Sequence, residues 1–148
     1  MYEYKVKEVV KVIDGDTIDI IIDVGFGFYK KDRVRIAGID TPESRTRDKK
    51  EKQYGLAAKV FLEGLLRNCD DLIIKTEKEG KYGRILGWLY CNDQEMSINQ
   101  TMIDEGYAWE YDGGKKDKTF EILDAKRKKI GEGANYKPPE PTGEFNSK

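Results

Sequence analysis

Val6-Lys7-Glu8-Val9-Val10-Lys11-Val12-Ile13-Asp14-Gly15-Asp16-Thr17-Ile18-Asp19-Ile20-Ile21-Ile22-Asp23 is the stretch on which the fold turns. Residues 6–13 are rich in β-branched apolar side chains and read as a strand. Asp14-Gly15 is a strong turn signal, and residues 17–23 read as the returning strand. Outward from this hairpin, Gly25-Phe26-Gly27-Phe28-Tyr29-Lys30-Lys31 reads as a glycine-rich connection, and residues 33–39 as a third strand. Pro42 has no backbone donor and holds Thr41 extended, so pairing is expected to stop there.

Residues 44–53 are polar and are expected to form a mobile loop. Tyr54, Ala58, Phe61, Leu62, Leu65 and Leu66 then recur at helical spacing, predicting an amphipathic helix that ends near Arg67 or Asn68. Residues 72–76 and 84–90 read as two more strands. Residues 96–105 predict a short helix stopped at Gly106, and residues 119–130 a second, basic one. No internal repeat is visible. Five strands with a helix between the third and fourth predict an α+β domain built on an OB-fold β-barrel with about three α-helices. Residues 1–136 are assigned to that domain. Residues 137–148, with Pro138-Pro139-Glu140-Pro141, are expected to be a flexible tail.

The chain has 148 residues, enough for one domain with a real core, and 37% of them are charged. Mean hydropathy is −0.75, and no run approaches the ~20 apolar residues of a membrane helix. The first residues lack an apolar stretch of signal-peptide type, so an intracellular or phage-encoded protein is expected over one exported by a signal peptide. Cys69 and Cys91 are the only cysteines, and two isolated cysteines predict buried, reduced thiols. There is no histidine, which moves acid–base work onto carboxylates and removes most zinc chemistry. A net charge of −1 is not that of a typical nucleic-acid binder, but residues 45–52 carry five basic side chains against two acidic ones.

The chemistry gathers in three segments. Asp14-Gly15-Asp16-Thr17 brings two aspartates to a strand end. Asp14 is accounted for by the turn alone, whereas Asp16 opens a strand, where aspartate is disfavoured. Asp40 closes an apolar strand directly before Thr41-Pro42-Glu43. Asp16 and Asp40, with the backbone carbonyl of Thr41 and waters, make a weak oxygen site for a hard divalent cation. Arg35 lies five positions before Asp40, an odd offset that puts the two on opposite faces of a straight strand. Their convergence requires a break, and Gly38 is the candidate. Glu43 is the natural general base in a histidine-free site. Lys81-Tyr82-Gly83-Arg84 supplies a second arginine for a phosphate clamp, with Lys81 and Tyr82 placed to contact a nucleotide; alone, the segment is a plain hairpin turn. A cation site beside two arginines suits metal-assisted cleavage of a phosphodiester.

Taken together, Ile13-Asp14-Gly15-Asp16-Thr17, Arg35 with Asp40-Thr41-Pro42-Glu43, and Lys81-Tyr82-Gly83-Arg84 closely resemble the staphylococcal nuclease (thermonuclease) family. Asn99 and Glu105-Gly106-Tyr107-Ala108 are similar to that family's next helix and its exit. The resemblance covers roughly residues 9–134. It implies an OB-fold hydrolase, a Ca²⁺-dependent endonuclease cutting DNA and RNA, single-stranded or unwound, as a monomer, and leaving 3′-phosphate products. On that reading Asp16, Asp40 and Thr41 bind Ca²⁺, Arg35 and Arg84 grip the scissile phosphate, and Glu43 activates water. Lys81 and Tyr82 hold a terminal phosphate, and Tyr111 stacks on a base. Three departures stand out: a longer connection around residues 23–32, Asn135-Tyr136 where many members have tryptophan, and a Tyr111 offset from the family's stacking tyrosine. The alternatives are a non-catalytic OB module of the same family that binds nucleic acid or protein, and a purely structural OB module. Neither calls for all of Asp16, Arg35, Asp40, Glu43 and Arg84.

Overall fold

The computed structural model describes residues 1–77, 85–111 and 118–130. Lys81, Tyr82, Arg84, the domain boundary at 136 and the tail 137–148 lie outside the described residues. Five strands close into a barrel in the order β1-β2-β3-β6-β5: β1 (Tyr2–Asp14), β2 (Thr17–Gly25), β3 (Phe28–Ile36), β5 (Leu72–Thr76) and β6 (Ile85–Cys91). β3 and β6 pair in parallel, and the other neighbours pair antiparallel. A separate two-stranded ribbon joins β4 (Ile39–Asp40) to β7 (Trp109–Glu110). Three helices complete the expected α+β OB architecture: α1 (Lys49–Arg67), α2 (Ile98–Asp104) and α3 (Phe120–Ile130).

Alternation dictates the barrel. Ile18, Ile20 and Ile22 of β2 point inward and are buried, as are Val34 and Ile36 of β3, Ile74 of β5 and Leu89 of β6. β1 shifts register three times along its pairing with β2. Those irregularities bend a long strand around the closing barrel. Ala58, Leu62 and Leu66 of α1 cap the core, each large side chain contributing about 1.5–3 kcal/mol by its burial. Helix α3 docks through Arg127, whose Nε donates to Gly106 O at 2.8 Å and whose guanidinium lies 4.2 Å from the Tyr107 ring centroid.

Three expectations are corrected. The polar segment 44–53 is not wholly a loop: α1 starts at Lys49, because the Asp48 carboxylate accepts from the Lys50 and Glu51 N–H groups. A first turn facing solvent carries no apolar period to betray it. The glycine-rich connection 25–31 shrinks to Phe26-Gly27, since Gly25 already pairs with Phe28. Finally, Cys69 and Cys91 are not free thiols but form a disulfide, with Cα atoms 5.6 Å apart. The pairing of β5 with β6 sets Leu72 opposite Cys91, and α1 ends just before Cys69, so the fold brings the two sulfurs together. Among the described residues, no helix is long and apolar enough to cross a membrane.

Candidate active site

The break expected between Arg35 and Asp40 falls at Ala37-Gly38. β3 ends at Ile36, Gly38 takes φ +75°, and Asp40 belongs to the β4–β7 ribbon instead of continuing β3. A left-handed residue at this point re-aims the chain, and glycine adopts it without strain. The turn is bolted down by Asn99 of α2, whose Nδ2 donates to Ala37 O at 2.7 Å and Gly87 O at 3.1 Å, while its Oδ1 accepts from Leu89 N at 3.0 Å.

The result is convergence. Arg35 Nη2 lies 3.5 Å from Asp16 Oδ2 and 3.7 Å from Asp40 Oδ1. Its Nη1 donates to Ile36 O at 3.0 Å, which fixes the guanidinium plane. Asp16 reaches the site because the β1–β2 turn lies beside β3: Ile36 N donates to Asp16 O at 2.8 Å. The Asp16 carboxylate accepts from the Thr17 hydroxyl at 2.9 Å and from Thr41 N–H at 3.3 Å. The Lys118 ammonium holds the far oxygen of Asp40, at 2.5 Å.

Glu43 lies in the same cleft, a cavity of about 430 Å³ lined by Asp14, Asp16, Asp40, Thr41, Pro42, Glu43, Glu51, Trp109, Lys118 and Phe120. Its backbone is positioned from two sides. Glu43 N–H donates to the Glu51 carboxylate at 3.2 Å, and the next residue's hydroxyl, on Ser44, donates to Asp14. From below, α1 presents Gly55, where any Cβ would collide with the Glu43 carbonyl carbon and oxygen. Tyr111 sits at the edge: its N–H donates to Gly38 O at 2.9 Å, and Lys118 Nζ lies 5.3 Å from its ring centroid.

The donor set fits a hard cation. Two carboxylates face one point, and Thr41 is buried beside them with its Oγ1 lacking a hydrogen-bond partner among the described residues. Among those residues no group of three or more acidic, histidine or cysteine side chains forms a fuller cage, so a cation held there would need waters and a substrate oxygen as its remaining ligands. The structure thus brings together Asp16, Arg35, Asp40, Thr41 and Glu43, with Tyr111 adjacent. Arg84, Lys81 and Tyr82 lie outside the described residues; β6 begins immediately after Arg84, with Ile85 paired to Val34. Lys118 was not singled out by the sequence. It is far from Asp40 in the chain, and nothing in its neighbourhood distinguishes it from the other lysines there.

A closed OB-type barrel whose strand ends gather oxygen ligands around an arginine defines a class of small α+β proteins. The chain belongs to the Staphylococcal nuclease homologue family, whose model matches residues 33–133. It is 31% identical over 135 residues to an "Uncharacterized endonuclease" of Escherichia coli, covering 90% of this chain and 80% of that protein. It is 37% identical to the "Micrococcal nuclease" of Shigella flexneri over 70% of this chain and 57% of the relative. Against the "Thermonuclease" of Staphylococcus intermedius, identity is 36% over 66% of this chain and 55% of the relative. The chain therefore spans little more than half the length of the last two.

Proposed function

We propose that this protein is a Ca²⁺-dependent endonuclease that hydrolyses phosphodiester bonds of single-stranded or unwound DNA and RNA as a monomer, leaving 3′-phosphate products. The observation that carries this reading is the meeting of Asp16 and Asp40 on one nitrogen of Arg35, the two carboxylates also lining the cleft that holds Glu43. Named nucleases and endonucleases among the relatives support it.

Asp16, Asp40 and the Thr41 carbonyl are the groups that hold the cation, which when bound neutralises charge on the phosphate. Arg35 offers its planar donors to the phosphate oxygens, and charge there grows in the transition state. Glu43 takes the proton from the attacking water. The water oxygen joins phosphorus, the bond from phosphorus to the 5′-oxygen breaks, and that oxygen leaves with the electron pair and takes a proton from solvent to become the 5′-hydroxyl. Arg84 completes the clamp, Lys81 and Tyr82 hold the terminal phosphate, and Tyr111 stacks on the base. The disulfide favours an oxidising compartment, against the intracellular expectation.

Degradation of heat-denatured DNA with Ca²⁺, with and without excess chelator, tests the reading. Cleavage abolished by chelator supports it. Cleavage undiminished by chelator overturns the metal-assisted mechanism, and no cleavage under either condition favours the non-catalytic module.

A further inference from the structure

The pairing of β2 with β3 runs without a bulge from Thr17 opposite Arg35 to Asp23 opposite Tyr29. In a regular strand alternate residues share a face. Val34 and Ile36 are buried inside the barrel, so Arg35, Arg33, Lys31 and Tyr29 form one row on its outer surface. The row starts at the candidate phosphate clamp and ends roughly 20 Å away, at ~3.4 Å per residue.

Along the row Arg35 is shared between Asp16 and Asp40 and Arg33 is bonded to Asp19, so Lys31, with Lys7 beside Tyr29, carries the remaining positive charge. Asp19, opposite Arg33, faces three cations: Arg33, whose Nε donates to it at 2.8 Å, and the more distant Lys31 and Lys11. Their combined field, led by the Arg33 hydrogen bond, holds the Asp19 carboxyl below its ordinary range. Asp23, opposite Tyr29, spends one oxygen on Gly25 N–H at 2.9 Å. At the far end the Tyr29 ring is 53% exposed and carries Lys7 Nζ 5.5 Å from its centroid. Just past it, the turn residue Phe26 is 99% exposed and held at φ +57°, a conformation unusual for a bulky side chain. Burial explains none of these aromatics, and apolar packing explains no part of the row.

We propose that this outer face of β3 is an extended single-strand subsite: nucleic acid leaving the Arg35 clamp runs along the strand, its phosphates on Lys31 and Lys7 and a base stacked on Tyr29. The chemistry is that of cationic side chains leading to an aromatic platform, as in single-strand-binding surfaces. The inference rests on the proposed function for where the scissile phosphate sits. It adds a reason for the strand to be recognised well beyond that phosphate.

The test is equilibrium binding of fluorescein-labelled oligothymidylate to the full chain in chelator, by anisotropy, with a dinucleotide compared against an oligomer of about 12 nucleotides. The wild type is expected to prefer the long oligomer. Tyr29→Ala and Lys31→Ala are each expected to weaken the long oligomer, Tyr29→Ala by roughly tenfold, with the dinucleotide shifted less than about twofold. Tyr29→Phe should restore stacking and hence affinity. Loss of both lengths together, or of neither, overturns the subsite, and so does failure of Tyr29→Phe to rescue Tyr29→Ala. Because the measurement needs no cleavage, it separates the two ideas. A length-dependent loss in a protein that cuts nothing keeps the subsite and sinks the nuclease, and cleavage with no length-dependent loss does the reverse.

Discussion

Two polar clusters flank the Ala37-Gly38 turn and are built in opposite ways. Asn99 is buried and neutral. Both ends of its amide are spent on backbone groups, at distances of 2.7–3.1 Å. Across the turn, Asp16, Arg35 and Asp40 are charged and half-buried, and Arg35 stands 3.5 and 3.7 Å from the two carboxylates, longer than good charge-assisted hydrogen bonds. One cluster is saturated and closes the fold. The other is only partly spent: Lys118 takes the far oxygen of Asp40 at 2.5 Å and the Thr17 hydroxyl and Thr41 N–H bind Asp16, while the contacts to Arg35 stay long. The contrast separates residues whose removal unfolds the chain from residues whose removal only silences it.

The largest effect is expected on the unsaturated side. Glu43→Gln should lower kcat by about 10²–10⁴-fold while leaving the melting temperature and substrate affinity close to wild type. Wild-type kcat in that variant would mean that another group accepts the proton. Arg35→Lys keeps the charge but loses the paired planar donors, and it too should act on kcat more than on ground-state affinity. Single-turnover cleavage at saturating protein reads both.

On the saturated side, Asn99→Ala strands Leu89 N–H and the Ala37 carbonyl in the interior. Urea unfolding should show a loss of roughly 3–5 kcal/mol. An unaltered midpoint would remove the contrast from which this account starts. Next comes the disulfide, which spans 22 positions in sequence. Its reduction should cost about 3 kcal/mol, and the loss should appear in the urea midpoint measured with and without reductant.

The smallest effect is set at Tyr54, which joins α1 to α3. Its hydroxyl donates to the Asp124 carboxylate at 2.7 Å, and its ring stacks on Phe120 with centroids 4.4 Å apart. Burial first, and the Asp124 hydrogen bond second, push the phenol up to about 12. The folded state therefore binds the phenolic proton more tightly than the unfolded state. Its contribution is fully present below pH ~10, where unfolded tyrosine titrates, and is lost as pH rises towards 12. Ultraviolet titration should find a late tyrosine that Tyr54→Phe removes, with about 1 kcal/mol lost at neutral pH.

Much of this was legible before the structure. Alternating isoleucines between Thr17 and Asp23, and the apolar period from Tyr54 to Leu66, are local signals, so the barrel and α1 followed from them. The odd offset from Arg35 to Asp40 correctly demanded a break, and Gly38 supplies it as a turn leading to a new ribbon. The start of α1 was hidden because Asp48 caps a turn with no buried face. The disulfide was hidden because contact between Cys69 and Cys91 depends on the register of β5 with β6, a long-range fact. Lys118 was hidden for the same reason: it meets Asp40 through tertiary structure alone. The load on Asn99 was visible only as part of a family resemblance, since a single asparagine on a short helix does not announce three backbone partners.

The central claim is that the pair Asp16 and Asp40, gathered beside Arg35 and only partly paired, holds a cation against a phosphate. Single-turnover cleavage of a short single-stranded oligonucleotide in Ca²⁺ by the wild type and by Asp40→Asn, with melting temperatures recorded alongside, tests it most directly. The account predicts a loss of at least about 10²-fold in rate with the fold intact, because the amide keeps the shape and removes the charge. A wild-type rate in Asp40→Asn would contradict it.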